Sequence, residues 1–205
     1  MYMKKTISLF LVLALALSLA ACGGQTAQSP APTPTAVPES PAAEAHYPVT
    51  ITSYNENGET YTQTFDQCPE RVVSISQANT ELLLALGLRD KIIATAHRFS
   101  PVYEPLAEEY NSIPFIAEKG YPAKEVVLDQ EPDMIVGWGS LFAEDALGPV
   151  SEWNDRGVGT YLMNNTVSGL GNRTVEFLYD DIETLGQIFD VEDAAQAMIL
   201  SLIHI

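Results

Sequence analysis

Basic residues are scarce in this sequence. Lysine and arginine together number 10, against 27 aspartates and glutamates, so the formal net charge is -17 and the isoelectric point is about 4.3. Because phosphate backbones repel a protein of this charge, the composition argues against binding to nucleic acids. The chain has 205 residues, of which 46% are hydrophobic, and this is enough for one domain with a buried core.

Residues with catalytic or metal-binding chemistry are also few. The sequence has two cysteines and three histidines, and Cys22 and Cys68 stand in such different surroundings that we expect no disulfide between them. There is no GxSxG, HExxH or phosphate-binding loop, and Gly169-Leu170-Gly171 lacks the third glycine of a dinucleotide fingerprint. No group of His, Cys, Asp and Glu has the spacing of a metal site. We therefore expect that the protein is not an enzyme, and that it binds neither a cofactor nor a metal ion held by protein ligands alone.

The N-terminus has the pattern of a secretory signal. A basic start, MYMKK, precedes an apolar stretch over residues 6–21, which is shorter than the ~20 residues of a permanent membrane span. The stretch ends in LAAC, which resembles the bacterial lipobox and predicts cleavage before Cys22 and lipidation of its sulfur. We expect a signal peptide over residues 1–21 and an extracytoplasmic protein anchored to the membrane through Cys22. The alternative is an uncleaved membrane anchor.

A proline- and alanine-rich segment follows the predicted anchor. Apart from Val37 it contains no large hydrophobic residue before residue 46, so it cannot bury enough apolar surface to fold. We predict a lipidated cysteine with a flexible linker over residues 22–46. Such a linker would let a tethered domain turn toward a partner in the membrane.

The remaining sequence predicts an α/β fold. Residues 47–65 alternate apolar and polar residues on both sides of Asn57-Gly58, a pattern typical of a β-hairpin. Further along, apolar runs that predict strands alternate with helical patterns. The runs cover residues 71–76, 91–96, 113–117, 133–138 and 158–163, and the helical patterns cover 79–86, 104–110, 122–129, 143–155 and 173–189. This alternation predicts a mainly parallel sheet flanked by helices.

A polar stretch, Ser74 to Thr80, crosses from the first of these strands to the first helix. Ligands of parallel sheets lie beyond the carboxyl ends of the strands, where such crossings occur. Asn79 or Thr80 is predicted to cap the helix, with Glu81 in its first turn, so that the N–H groups of residues 76–78 would be free for a ligand. The alternative is that these residues only turn the chain.

Four stretches occur in a specific order along the chain. They are PERVVSISQANTELLLALGLRDKIIATA, AKEVVLDQEPDMIVGW, RGVGTYLMNN and TVEFLYDDIETLGQIFDVEDAAQAMI. Together with the hairpin they resemble, over about residues 47–200, the periplasmic-binding-protein family that delivers iron siderophores, cobalamin or haem to ABC importers. The resemblance implies two Rossmann-like α/β lobes joined by a rigid helix, with the ligand between them. Residues 47–190 would form the N-terminal lobe and residues 191–205 the start of a truncated inter-lobe helix, with the C-terminal lobe missing.

The family's layout implies where the ligand contacts lie, namely in the loops that follow successive strands. The ligand-binding residues expected on this basis are Ser76, Gln77, Asn79, His97, Arg98, Lys119, Tyr121, Trp138 and Asn164. Trp138 and Tyr121 offer flat apolar faces, and Arg98 offers a countercharge for an anionic chelate. His97 would act as a donor or axial ligand. The alternatives are packing within the lobe for the aromatic residues and a solvated surface pair for His97-Arg98.

Glu125 falls where the resemblance places an acidic residue that engages arginines on the permease. We expect it to be a docking residue, and the alternative is an ordinary helix-surface glutamate near Lys124. Cys68 is expected to be a partly buried small residue without a role.

The resemblance implies a solute-binding lipoprotein of an ABC importer, whose partners are the permease and its ATPase. We expect a monomer that binds a ferric siderophore, with cobalamin or haem as alternatives of the same class. Alternatives from other classes are a tethered hydrolase, a surface adhesion or signalling module, and an inactive fragment.

Overall fold

The computed structural model describes residues 45–204. The predicted signal peptide, Cys22 and most of the predicted linker lie outside these residues. The strands and helices in chain order are β1 Val49–Tyr54, β2 Thr60–Phe65, β3 Val72–Ile75, α1 Gln77–Ala85, β4 Ile92–Ala96, α2 Ala107–Asn111, β5 Phe115–Ala117, α3 Lys124–Leu128, β6 Met134–Gly137, α4 Val150–Asn154, β7 Gly159–Leu162, α5 Val175–Phe189 and α6 Glu192–Ile203. None of these helices combines the length and the apolar character that crossing a bilayer requires.

The five strands from β3 to β7 form one parallel sheet. Their order is β5-β4-β3-β6-β7, so the chain builds outward from β3 in one direction and then returns to add β6 and β7 on the other side. All residues of β3 and β6 are buried, as expected for central strands of a sheet that helices cover on both faces. The predicted α/β fold is confirmed. The change of direction makes the gap beyond the carboxyl ends of β3 and β6 the topological switch point.

The sheet separates two hydrophobic layers. Val72 and Met134 point to one face, where they pack in a cluster with residues of α1, α5, α6 and the hairpin. Their neighbours Val73 and Ile135 point to the other face and pack in a second cluster, which includes Trp153 of α4. Because side chains alternate along a strand, one continuous apolar run can supply both layers.

The predicted hairpin is confirmed, and its role is to cover an edge of the sheet. β1 and β2 pair in antiparallel fashion and are joined by residues 55–59, where the side chain of Asn55 accepts hydrogen bonds from the N–H groups of Asn57 (3.0 Å) and Glu59 (2.9 Å). Gln63 of β2 both donates to the carbonyl of Thr160 (2.5 Å) and accepts from its N–H (3.1 Å). The hairpin thereby satisfies polar groups on the outer edge of β7 that would otherwise be unpaired.

The helix predicted over residues 143–155 is much shorter in the structure. Only Val150–Asn154 is α-helical, and it begins directly after Pro149. Gly148 adopts a φ of 81°, a left-handed conformation that ends any preceding helical segment. Proline lacks an N–H to continue a helix but suits its start, so the pair Gly148-Pro149 sets this boundary.

Candidate ligand-binding site

Helix α1 begins earlier than predicted. Its N-cap is Ser76, which has a φ of 112° and makes no side-chain capping hydrogen bond. The predicted caps, Asn79 and Thr80, lie inside the helix instead. The Asn79 amide donates back to the carbonyl of Ile75 (3.1 Å), and the Thr80 hydroxyl pairs with that of Thr95 on β4 (2.8 Å). The capping prediction is wrong because both side chains tie the helix to strands below it.

The predicted free N–H groups are also partly used. The N–H groups of Ser76 and Gln77 donate to the carbonyls of Ala96 (3.1 Å) and His97 (3.2 Å), so they extend the pairing of β3 with β4. The Gln77 side chain accepts hydrogen bonds from two successive N–H groups, those of Phe99 (3.2 Å) and the next residue (3.0 Å). Ser76 and Gln77 are buried, and Gln77 holds the loop that carries Phe99 in place.

An open cavity of about 540 Å³ lies at the switch point, beyond the carboxyl ends of β3 and β6. Its apolar lining consists of Ala78, Leu82, Tyr121, Trp138, Met163 and Leu178. Its polar lining consists of Asn79, Ser140, Asn165, Thr166, Arg173 and Asp181. A concave site with a mainly apolar wall and a few convergent polar groups is the usual form of a small-molecule site. We call this cavity the main cleft.

Four rings form an aromatic wall between the main cleft, which Tyr121 and Trp138 line, and a neighbouring open space, which His97 and Phe99 line. The ring of His97 lies 5.7 Å from Trp138 in an edge-on arrangement and 5.5 Å from Tyr121, measured between centroids. Phe99 lies 6.2 Å from Trp138 and is 56% exposed. The Tyr121 hydroxyl pairs with that of Ser140 (2.7 Å), which fixes the ring. The wall can offer flat apolar surface to the organic part of a ligand.

The predicted countercharge, Arg98, already has a partner. Its Nη2 lies 3.0 Å from the Glu118 carboxylate, and its guanidinium lies 4.8 Å from the centroid of the Phe115 ring. Arg98 and Lys119 line a neighbouring open space of about 460 Å³ that also includes His97. In the main cleft the cation is Arg173, which is exposed and has no ion-pair partner among residues 45–204.

A buried carboxyl group, that of Asp181, belongs to the lining of the main cleft. The residue is 1% exposed, and its Oδ1 accepts hydrogen bonds from the Tyr161 hydroxyl (2.9 Å) and the Asn164 N–H (3.0 Å). Burial raises the pKa of this carboxyl from 3.8 to about 7, although the two hydrogen bonds act in the opposite direction. The group therefore changes charge near neutral pH.

The expected ligand residues fall into three positions. Asn79, Tyr121 and Trp138 line the main cleft, whereas His97, Arg98 and Lys119 line the neighbouring space. Ser76, Gln77 and Asn164 are buried. Contact of all nine with a ligand stays a prediction.

Sequence reasoning missed several residues of the main cleft, notably Arg173 and Asp181. For both residues the sequence contains an indication of their position. Arg173 immediately precedes Thr174, the N-cap of α5, and so lies in the loop that follows β7. Asp181 is a charged residue on the buried face of that helix, next to Ile182 in the sequence.

Two further residues named from the sequence lie outside the main cleft. Glu125 is exposed on α3, and the neighbouring Lys124 pairs with Glu152 of α4 rather than with Glu125. Cys68 is half-buried, with its sulfur 3.6 Å from the carbonyl of Pro69 and 3.9 Å from that of Phe189.

Comparison with known proteins identifies the class. The family model described as periplasmic binding protein matches residues 72–202. This range covers more than half of the chain, so the chain belongs to the periplasmic binding protein family. No functionally curated protein matches the sequence.

Solved structures agree with this assignment. A periplasmic binding protein from Veillonella parvula is 31% identical with a TM-score of 0.72, and the match covers 78% of this chain and 51% of that one. The ABC-type Fe3+-hydroxamate transport system protein from Saccharomonospora viridis is 26% identical with a TM-score of 0.63, covering 78% and 54%. A periplasmic haem-binding protein from Pseudomonas aeruginosa is 20% identical with a TM-score of 0.50, covering 66% and 44%, and shows the fold alone. The chain thus spans about half the length of these relatives.

Proposed function

We propose that the protein binds a ferric siderophore and delivers it to the permease of an ABC importer. The observation that carries this proposal is the main cleft, an open space of about 540 Å³ at the switch point of the sheet. A site of this size suits a small organic molecule, and its position is where parallel sheets bind ligands. Family membership and the 26% identity to a protein of an Fe3+-hydroxamate transport system support iron chelates as the class of ligand.

The lining of the main cleft suits a chelate with an apolar shell and negative charge. Trp138 and Tyr121 present ring surface to the organic shell, and Arg173 supplies an exposed guanidinium without a competing carboxylate partner among the described residues. Guanidinium groups bind carboxylate and other oxyanion groups through two parallel hydrogen bonds. A local cation of this kind matters more for an anionic ligand than the net charge of the chain does.

The proposed work is binding rather than catalysis, and it takes place outside the cytoplasm. The family assignment and the lipobox-like sequence at Cys22 support a tethered solute-binding protein. In the family a second lobe contributes to the ligand site, so we expect residues 45–204 to supply one wall of it.

An optical titration of the full chain, kept in mild detergent, tests the proposed ligand. Ferric hydroxamate, ferric catecholate, cobalamin and haem are added in separate experiments, and tryptophan fluorescence is followed. We expect saturable quenching by an iron chelate in the wild type and much weaker quenching in W138F, because Trp138 lines the main cleft whereas Trp153 packs in the second hydrophobic cluster. Preferential binding of haem or cobalamin, or no saturable change with any iron chelate, would contradict the proposal.

The docking role of Glu125 needs a separate test, because it concerns the permease and not the ligand. Reversing the charge in E125R should lower chelate uptake by cells while chelate binding by the purified protein stays unchanged. E108R reverses another exposed glutamate, on α2, and is the matched control. Equal uptake by the two variants would remove Glu125 from the interface.

A further inference from the structure

Three metal-ligating side chains from distant parts of the sequence meet at the C-terminal end of α5. They are His46, Asp190 and Glu192, and one ligand atom of each lies within 4.8 Å of the others. The Nδ1 atom of His46 lies 3.3 Å from Oδ1 of Asp190 and 3.5 Å from Oε1 of Glu192. We call this group the His46 cluster. It is the one such group of three or more among the described residues.

The histidine ring is held with Nδ1 toward the two carboxylates. Its other nitrogen, Nε2, lies 2.7 Å from the carbonyl oxygen of Gln187. A carbonyl can only accept a hydrogen bond, so Nε2 donates to it and Nδ1 is the ring nitrogen that faces the carboxylates. A hydrogen bond from the distal ring nitrogen to a backbone carbonyl is the arrangement that orients metal-bound histidines. The Tyr47 ring packs edge-on against the imidazole at 4.6 Å between centroids and steadies it further.

The two carboxylates are placed by the tight connection between α5 and α6. Asp190 is the C-cap of α5 in the left-handed conformation, with a φ of 56°, and Glu192 is the first residue of α6. The helices approach closely here, because a Cβ on Gly186 would lie only 2.7 Å from that of Ala195. The carboxylates therefore project from a well-packed turn.

The geometry of the His46 cluster favours a positive charge at its centre. Nδ1 of the imidazole faces two carboxylate oxygens at 3.3 and 3.5 Å, and a metal ion held between these three atoms is attracted by both carboxylates. Zinc bonds of about 2.0–2.2 Å in tetrahedral geometry place neighbouring ligand atoms about 3.3–3.5 Å apart, which matches the two measured distances.

We propose that His46, Asp190 and Glu192 form a site for one divalent transition-metal ion of the Zn2+ type. One imidazole and two carboxylates suit such ions, and the partly exposed side chains leave a further position open to water. The bound ion would fasten residue 46, just before β1, to the connection between α5 and α6. Its role is structural, because helical rise puts Asp190 about 14 Å along α5 from Asp181 in the main cleft.

Metal titration of the full chain tests this site directly. After treatment with a chelator, the protein is titrated with Zn2+ alone by calorimetry and with Co2+ alone by visible absorption. We expect one ion per chain, a higher melting temperature with the ion bound, and a cobalt spectrum without a thiolate band from Cys68. H46Q, D190N and E192Q should each weaken binding by more than the 10–100-fold typical of residues that only orient a ligand.

The variants are chosen to keep the fold. Asparagine tolerates the left-handed conformation of residue 190, and E192Q preserves side-chain size at an exposed position. H204Q is the matched control, because Nδ1 of His204 also lies against a backbone carbonyl, that of Leu200 (2.5 Å). Circular dichroism verifies that each variant is folded.

The remaining outcomes overturn the proposal. Absence of saturable binding at one ion per chain would mean that the His46 cluster holds no metal ion. Equal losses in H204Q, or unchanged binding in D190N and E192Q, would mean adventitious binding to single histidines. Chelate binding in the main cleft is expected to be the same in H46Q and wild type, so failure of the siderophore proposal and of the metal proposal can be told apart.

Discussion

The two ends of α5 carry opposite kinds of chemistry. Its N-terminal half contributes Leu178 and Asp181 to the main cleft, and Arg173 lies just before it. Its C-terminal end presents the Gln187 carbonyl and the Asp190 carboxylate to His46. A carboxylate at a helix C-terminus faces the negative end of the helix dipole, so this end favours a nearby cation, whereas the N-terminal end favours anions. One helix can thus serve an anion-binding cleft at one end and a cation at the other.

The largest expected effect concerns the buried carboxyl group near the N-terminal end. Burial raises the pKa of Asp181 to about 7, above its ordinary value of 3.8, so the folded protein holds this proton more tightly than the unfolded chain. The resulting stabilisation is fully present below pH 4 and is lost as pH rises to 7, by up to about 4 kcal/mol.

D181N should abolish this loss, because asparagine does not titrate. Urea denaturation of the wild type and D181N between pH 4 and 8 measures the difference in free energy of unfolding. Parallel curves for the two proteins would show that the Asp181 carboxyl is ionised throughout the range. The His46 cluster, at the other end of α5, should still bind metal in D181N.

Adding a methyl group beside the main cleft should destabilise the protein more than adding one at an open position elsewhere. A Cβ on Gly139, next to Trp138, would lie 2.8 Å from the carbonyl oxygen of Thr166 and 3.0 Å from Cα of Val167. Because backbone atoms cannot move aside cheaply, we expect G139A to destabilise the fold by about 2–3 kcal/mol and to impair chelate binding. In G87A the added Cβ meets nothing within 4 Å, so only the strain of a left-handed φ applies, about 1–2 kcal/mol. Equal losses in denaturation experiments would refute the steric explanation.

Removing the guanidinium from the main cleft should weaken binding without affecting stability. We expect R173Q to bind an anionic ferric chelate about 10-fold more weakly, because a charge-assisted hydrogen bond is lost. R156Q removes another exposed arginine that lies outside the main cleft and should bind like the wild type. Fluorescence titration measures both, and equal affinities in R173Q and R156Q would exclude a ligand contact at Arg173.

The smallest expected effect is at the cap of α5. The Thr174 hydroxyl accepts a hydrogen bond from the N–H of Phe177 (3.2 Å) at the exposed start of the helix. T174A should lower the free energy of unfolding by about 1 kcal/mol and loosen the loop that carries Arg173. T174S keeps the hydroxyl and should restore the loss in thermal denaturation, whereas failure to do so would mean that the methyl group, not the cap, is responsible.

Local patterns predicted most of the fold. The five apolar runs became β3 to β7 within one or two residues at each end, and the hairpin formed around Asn57-Gly58. The helix starts were less predictable. Ser76 caps α1 in place of Asn79 or Thr80, whose side chains bond instead to Ile75 and to Thr95 of β4. The bond between Thr80 and Thr95 is a tertiary contact, which local periodicity cannot reveal.

The candidate site was predictable only in part, for the same reason. The rule that ligands lie after parallel strands selected Trp138, Tyr121 and Asn79, which line the main cleft. It also selected Arg98, whose guanidinium is paired with Glu118 from a neighbouring loop. Whether a cation stays unpaired depends on contacts between loops. These contacts pair Arg98 and leave Arg173 without an ion-pair partner among residues 45–204.

By itself the sequence determined the alternation of strands and helices and the acidic character of the chain, because both are properties of neighbouring residues or of composition. Only the tertiary structure decided that β3 and β6 lie side by side, which opens the main cleft between α1 and Trp138. It also decided that His46 meets Asp190 and Glu192. Residues so far apart along the chain come together through the packing of whole elements, and no local pattern records that proximity.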